Sequence, residues 1–141
     1  LRGEILRTDN PESKLVASVN MARLATISGY WEVARDWLHV AEPLCEKSQS
    51  TSSHFLVQIN RLAVDFCQFQ KGSTLTQIRC TTEEEQPAFM KYIAHVALIQ
   101  AASTIGDTET VKHELAKCAE LEELYGVGSP LVQRFKSVYA S

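Results

Sequence analysis

Four histidines and four cysteines carry most of the reactive chemistry in this sequence, and their spacing narrows what they can do. A helix presents two metal ligands on one face when they lie three or four residues apart. His39 and Cys45 are six apart, and His113 and Cys118 are five apart. No Cys-x-x-Cys pair occurs among Cys45, Cys67, Cys80 and Cys118, so no metal site is expected. His95 could serve a phosphorelay, which needs an exposed imidazole and a lysine about one turn further along the helix. Leu98 and Ile99 stand there instead, so a packed histidine is the expectation. Glu83-Glu84-Glu85 and Glu120, Glu122 and Glu123 could supply paired carboxylates. A helix start and a solvated helix face account for both groups. There is no glycine-rich phosphate loop, and no Ser or Cys sits in a nucleophile motif. A non-enzyme without cofactors is expected.

These side chains must be positioned by helices. The chain has 141 residues, with 45% hydrophobic and 22% charged, enough for a core of its own. Its 14 Lys and Arg are outweighed by 17 Asp and Glu, which gives no electrostatic case for nucleic acid. The longest apolar stretch, Tyr92 to Ile105, is broken by His95, Gln100, Ser103 and Thr104, short of a membrane span. Three cysteines fall on apolar helical faces, where a free thiol packs as a small hydrophobe. Reduced thiols and an intracellular setting, cytoplasmic or nuclear, are expected. The chain opens on Leu1, and Tyr139-Ala140-Ser141 reads as mid-helix, so a piece of a longer protein is expected.

Apolar residues recur at intervals of three and four, never at period two over more than a few residues. Asn10 and Pro11 open a first helix that Gly29 closes. Val33, Ala34, Trp37, Leu38, Ala41 and Cys45 stripe a second, which Pro43 should kink or shorten. A Ser-rich loop spans 48–53. Phe55, Ile59, Leu62, Phe66 and Phe69 stripe a third helix ending at Lys71-Gly72. A short helical turn covers 74–79. Thr81 and Thr82 then offer caps for a nearly all-apolar helix over 86–105. Gly106-Asp107 forms a corner, Val111, Leu115, Cys118, Leu121 and Tyr125 stripe the next helix, and Gly126-Val127-Gly128 stops it. Leu131, Phe135, Val138 and Tyr139 belong to a closing helix over 130–141. The reading is all-α, with about six to seven helices stacked as antiparallel αα-hairpins in one domain over 1–141. The pairs lie near 10–47, 53–80 and 84–125.

Gly29, Gly72 and Gly106 are the expected corners, the last two 34 residues apart. After Gly29 come an aromatic at plus two (Trp31), Ala34 at plus five, Leu38 at plus nine and Ala41 at plus twelve. Gly106 is followed at those last three offsets by Val111, Leu115 and Cys118. This pattern resembles the second half of a tetratricopeptide repeat. The resemblance implies a right-handed superhelical stack and a role in holding other proteins. The arrangement ahead of Phe135-Lys136-Ser137-Val138-Tyr139 is also similar to the helical region preceding the PCI domain. That region belongs to the family of proteasome-lid regulatory subunit seven and COP9 signalosome subunit one. Tyr92-Ile93-Ala94-His95-Val96 departs from that family's Tyr-Gly-Gly-Leu-Cys-type helix, and no winged helix is present.

In a tetratricopeptide-like stack the first helix of each pair lines the concave face. That places Val16, Val19, Asn20, Arg23 and Ile27 there, with Ile59, Leu62, Ala63 and Phe66, then Ile93, Val96, Ala97 and Gln100. Asn20 matches the asparagine such domains use to clamp a peptide's terminal carboxylate, although the remainder of that clamp is missing. The apolar members serve either a groove for an amphipathic helix or the core, and core is the expectation. Trp31, at the corner, is either a packing residue or an exposed contact. The partner-binding candidates are Asn20, Arg23, Trp31 and Gln100. The functional expectation is a non-catalytic scaffold module that binds other proteins or peptides inside a larger assembly. The alternative is a phosphorelay or enzymatic bundle using His95.

Overall fold

The computed structural model describes residues 10–48, 50–126 and 128–139. Among them are seven helices and no strand: α1 (Pro11–Ile27), α2 (Trp31–Lys47), α3 (Thr51–Phe69), α4 (Gly72–Glu83), α5 (Ala88–Thr104), α6 (Thr108–Tyr125) and α7 (Pro130–Val138). Neighbouring helices pack as sequential antiparallel hairpins. The chain forms two compact units, residues 1–64 and 65–141, and the division falls inside α3.

In the first unit, Asn10 caps α1 as its sequence implies. Its Oδ1 accepts the amides of Glu12 at 3.0 Å and Ser13 at 3.4 Å, and Pro11 occupies the first helical position. The helix ends on Gly29 at φ +82°, a left-handed conformation that costs an L side chain about 1–2 kcal/mol. The Tyr30 amide donates to the Ala25 carbonyl at 2.9 Å and the Gly29 amide to that of Thr26 at 3.1 Å. These two bonds are a Schellman motif, and they turn the chain straight into α2. Ala22, Ala34, Trp37, Leu38 and Val64 form a buried cluster with Met21, Ala25 and Trp31 packed against it. Alanines at 22, 34 and 41, each at most 1% exposed, remove the bulk that would hold two helices apart. Pro43 does not shorten α2, which runs on to Lys47. Pro43 is exposed, and the helix tolerates one missing amide bond because its buried stripe continues to Cys45.

The expected 48–53 loop is shorter, because α3 already begins at Thr51; Gln49 lies outside the described residues. The serines here act as tethers. The Ser50 Oγ accepts the Ser53 amide at 3.4 Å, while Ser48 and Ser53 donate their hydroxyls to the two oxygens of Glu12 at 2.8 and 3.0 Å. The start of α1 is thereby pinned to the α2–α3 connection.

The second unit holds the end of α3 and α4 to α7. Here the corner assigned to Gly72 is corrected. Gln70, at φ +52°, takes the left-handed position, and Gly72 is the first residue of α4. The short turn expected over 74–79 is a 12-residue helix. Thr81 and Thr82 are not caps but lie inside it, their hydroxyls donating to the carbonyls of Gln77 and Arg79 at 2.8 and 2.7 Å. Packing overrides the weak helix preference of this Gly/Thr-rich segment, since Ile78 and Thr82 are buried.

Residues Tyr92 to Ala102 of α5 are buried without interruption, as an all-round apolar helix requires. The corner after it repeats the one at Gly29. Gly106 sits at φ +73°, the Asp107 amide donates to the Ala102 carbonyl at 2.9 Å, and the Gly106 amide to that of Ser103 at 3.2 Å. Asp107 then caps α6 through Oδ1, which accepts the Thr110 amide at 3.1 Å. Val111, Leu115 and Cys118 are buried, while Tyr125 projects outward at 61% exposure. Gly126 ends α6 at φ +69°; Val127, Ala140 and Ser141, and the side chain of Leu131, lie outside the described residues. Val132 and Phe135 fix α7, with Lys136 paired to Glu122 at 3.1 Å and Tyr139 bonded to Ser103 at 3.0 Å.

Candidate functional site

Three constellations carry functional side chains. The first is the outward face of α1. Its inward face buries Leu15, Ser18, Val19, Ala22, Arg23 and Thr26. Val16 and Leu24 stand 41% and 48% exposed, with exposed Asn20 midway between them, so four-residue steps set the three in one row. Asn20 and Arg23 are brought together: Arg23 Nη1 donates to the Asn20 Oδ1 at 3.5 Å, a long bond, and Nε donates to the Asn60 Oδ1 at 3.3 Å. The Asn60 amide group donates in turn to the Leu56 carbonyl at 2.8 Å. A cation only 8% exposed therefore reaches from α3 to a surface asparagine. Asn60 is the member that spacing alone misses, since it lies 37 residues from its partner.

The other two candidates from sequence do not join this group. Trp31 packs against the core cluster, with its Nε1 buried and without a partner. Gln100, in the second unit, is 3% exposed. Of the positions assigned to a concave face, Val19, Ile59, Ala63, Phe66, Ile93, Val96 and Ala97 are core.

The second constellation is a cleft of about 400 Å³ between α4, α5 and α6. Its floor is the pair of His95, 7% exposed, and Glu114, 4% exposed. Both carboxylate oxygens of Glu114 stand 3.2 Å from His95 Nδ1. The carboxylate accepts the hydrogen placed on Nδ1, and His95 is among the residues that line the cleft. Around this floor stand Lys91 from α5, Lys117 and His113 from α6, and Arg79 from α4. Leu98 and Leu121 supply apolar wall, and Glu83 and Glu120 complete the charges. Glu114 is the residue a helical pattern does not flag. It sits between Val111 and Leu115, on the apolar stripe where an acid is out of place.

The third is a thiol–imidazole contact, Cys45 Sγ to His54 Nδ1 at 3.1 Å. Burial, and then the carboxylates of Glu46 and Glu12, push the Cys45 thiol up. A protonated thiol donates to Nδ1, leaving the hydrogen on Nε2 toward the Ser48 carbonyl at 3.3 Å. Such a pair is the opposite of an activated nucleophile, which needs a lowered thiol. Burial likewise raises Cys67, against a Thr104 hydroxyl bond that lowers it. Burial, Glu114 and Glu122 push Cys118 up to about 12. All four cysteines are free. Among the described residues no three His, Cys, Asp or Glu side chains group as metal ligands, and no helix is long and apolar enough to cross a membrane.

No protein-family model, curated protein or solved structure matches this chain.

Proposed function

We propose that this chain is a non-catalytic docking module, a tetratricopeptide-like stack that holds segments of other proteins within a larger intracellular assembly. The row Val16–Asn20–Leu24 carries this reading. Apolar side chains one helical turn apart, around an asparagine oriented by a buried arginine, suit a partner helix or strand that needs apolar contact plus one polar register mark. Two hairpins built on one corner, with Ala34, Leu38 and Ala41 in the first and Val111, Leu115 and Cys118 in the second all buried, support the repeat character.

A photo-crosslinking residue placed at Leu24 tests it in the cells that make the protein. A discrete crosslinked partner chain is expected from Leu24 and none from exposed Glu109 on α6. In binding titrations with that partner, Val16→Asp/Leu24→Asp should weaken affinity at least about tenfold with an unchanged circular dichroism spectrum. Unchanged affinity would overturn the proposal. The phosphorelay alternative predicts that His95→Ala abolishes phosphoryl uptake with the fold intact. Burial of His95 against Glu114 weighs against it.

A further inference from the structure

The exposed face of α1 is neutral in a chain whose residues are 22% charged. Beyond Glu12, the exposed residues of the helix are Ser13, Val16, Asn20 and Leu24, and none carries charge. Half-buried Lys14 and buried Arg23 lie off this row, and the Glu12 carboxylate is already taken by the hydroxyls of Ser48 and Ser53. A partner that met the row with charged groups would strip them of water with nothing opposite to compensate. A second copy of α1 meets it with no charge, although each chain has a net charge of −3.

The row is also symmetric about Asn20. Val16 and Leu24 stand four residues to either side, about 6 Å along the helix axis. A two-fold axis at Asn20 therefore sets two α1 helices antiparallel, with Val16 against Leu24 of the second copy and Leu24 against its Val16. A depression of about 410 Å³, lined by Glu12, Ser13, Val16, Ala17 and Asn20, lies at the Val16 end of the row. That is the end at which Leu24 of the second copy arrives, so an exposed apolar side chain meets a recess at both ends of the pair.

Asn20 suits the axis itself. Arginine only donates, so the Asn20 Oδ1, and not its Nδ2, faces Arg23. That oxygen keeps a second lone pair, and Nδ2 has no partner among the described residues. Across the axis each Nδ2 donates to the Oδ1 of the other copy. A paired asparagine within an apolar helix seam fixes register.

We propose that a second copy of this chain occupies the α1 row, in an antiparallel α1–α1 pair centred on Asn20. The inference rests on the reading of that row as a docking surface and names its occupant. One helix pair buries less than the roughly 1,200–2,000 Å² of a standard interface, so the dimer is weak, with Kd on the order of 10–100 µM. A segment of another protein takes the row only by displacing the second copy.

Sedimentation equilibrium of the chain, loaded from about 5 to 500 µM, spans that range. A monomer–dimer equilibrium is expected. Leu24→Glu and Val16→Lys should each raise Kd at least about tenfold with an unchanged circular dichroism spectrum, and Asn20→Asp, which sets two carboxylates at the axis, should do the same. An equal mixture of the Leu24→Glu and Val16→Lys chains should dimerise more tightly than either alone. Antiparallel pairing there puts the new acid against the new amine at one end and returns valine against leucine at the other. A chain monomeric throughout, a dimer indifferent to Leu24→Glu, or a mixture no tighter than its components would each overturn the proposal. A monomeric chain that still crosslinks another protein from Leu24 leaves the docking reading standing. A dimer whose Leu24 crosslinks only a second copy does the reverse.

Discussion

At Gly29 the chain leaves α1 through two hydrogen bonds, six-to-one and five-to-two, and at Gly106 it leaves α5 through the same two. Both glycines lie near φ +75°, at +82° and +73°. The residue at plus five is fully buried in each case, Ala34 and Val111. Yet the two hairpins bury different polar chemistry. The first unit buries an arginine of α1 that donates to Asn60 on α3 and to Asn20 at the surface. The α5–α6 hairpin hides an imidazole–carboxylate pair and turns it into a cleft. A shared corner fixes where two helices cross, while the side chains a turn or more away decide what the crossing does.

The strongest test of that contrast is removal of one partner from each buried group. His95→Leu leaves the Glu114 carboxylate buried without its donor and should cost about 3–5 kcal/mol in urea unfolding. His95→Leu/Glu114→Leu should recover most of that loss, since an apolar replacement of a whole buried pair is close to neutral. Arg23→Leu removes the donor of the Asn60 and Asn20 oxygens, leaves no buried charge on either asparagine, and should cost about 1–3 kcal/mol. A loss at Arg23 equal to that at His95 would mean the two buried groups do not differ in this way.

Next comes the corner itself. A Cβ added at Gly29 or Gly106 meets nothing within 4 Å, so the whole cost of Gly→Ala is conformational. Each substitution should lower stability by about 1–2 kcal/mol, and by the same amount at both sites. Gly72→Ala should go the other way, raising stability by about 0.5 kcal/mol. It also meets nothing within 4 Å, and it lies in a helix, where glycine is the poorer residue. A loss at Gly72 would restore it as a corner.

That third glycine shows where sequence reasoning ran out. Helix class, the two Schellman corners and the buried stripes of α2 and α6 are legible because they are local, set by residues three to twelve apart. Gly72 misleads because glycine only permits a left-handed turn; Gln70 takes the turn two residues earlier. The α4 helix is missed because its Gly, Ser and Thr residues disfavour helix individually, and the burial of Ile78 is a tertiary fact. The candidate sites divide the same way. Asn20 and Arg23, three apart on one helix, were legible as neighbours. Asn60 and the His95–Glu114 pair, 37 and 19 residues from their partners, are encoded in no spacing.

The smallest expected effect separates the two corners by pH. Asp107 caps α6 with its carboxylate, and the Thr110 hydroxyl, at 2.6 Å, and then the Thr110 amide hold its carboxyl below the ordinary 3.8. Tyr30, at the same place before α2, makes no side-chain cap bond. A lowered native value means the folded state holds the proton less tightly than the unfolded one. The contribution is therefore complete above the ordinary carboxyl range and is lost as pH falls through the native value. Hydrogen-exchange protection of the Val111 amide, which bonds the Asp107 carbonyl at 3.1 Å, should fall between about pH 5 and 3. Protection of the Ala34 amide, which bonds the Tyr30 carbonyl at 3.0 Å, should fall less over the same interval. Asp107→Asn keeps an acceptor for the Thr110 amide but removes the titrating charge, and it should bring the two profiles together. If Ala34 instead loses protection in step with Val111 in the unsubstituted chain, the acid response belongs to the whole molecule, and the cap at Asp107 does not distinguish the hairpins.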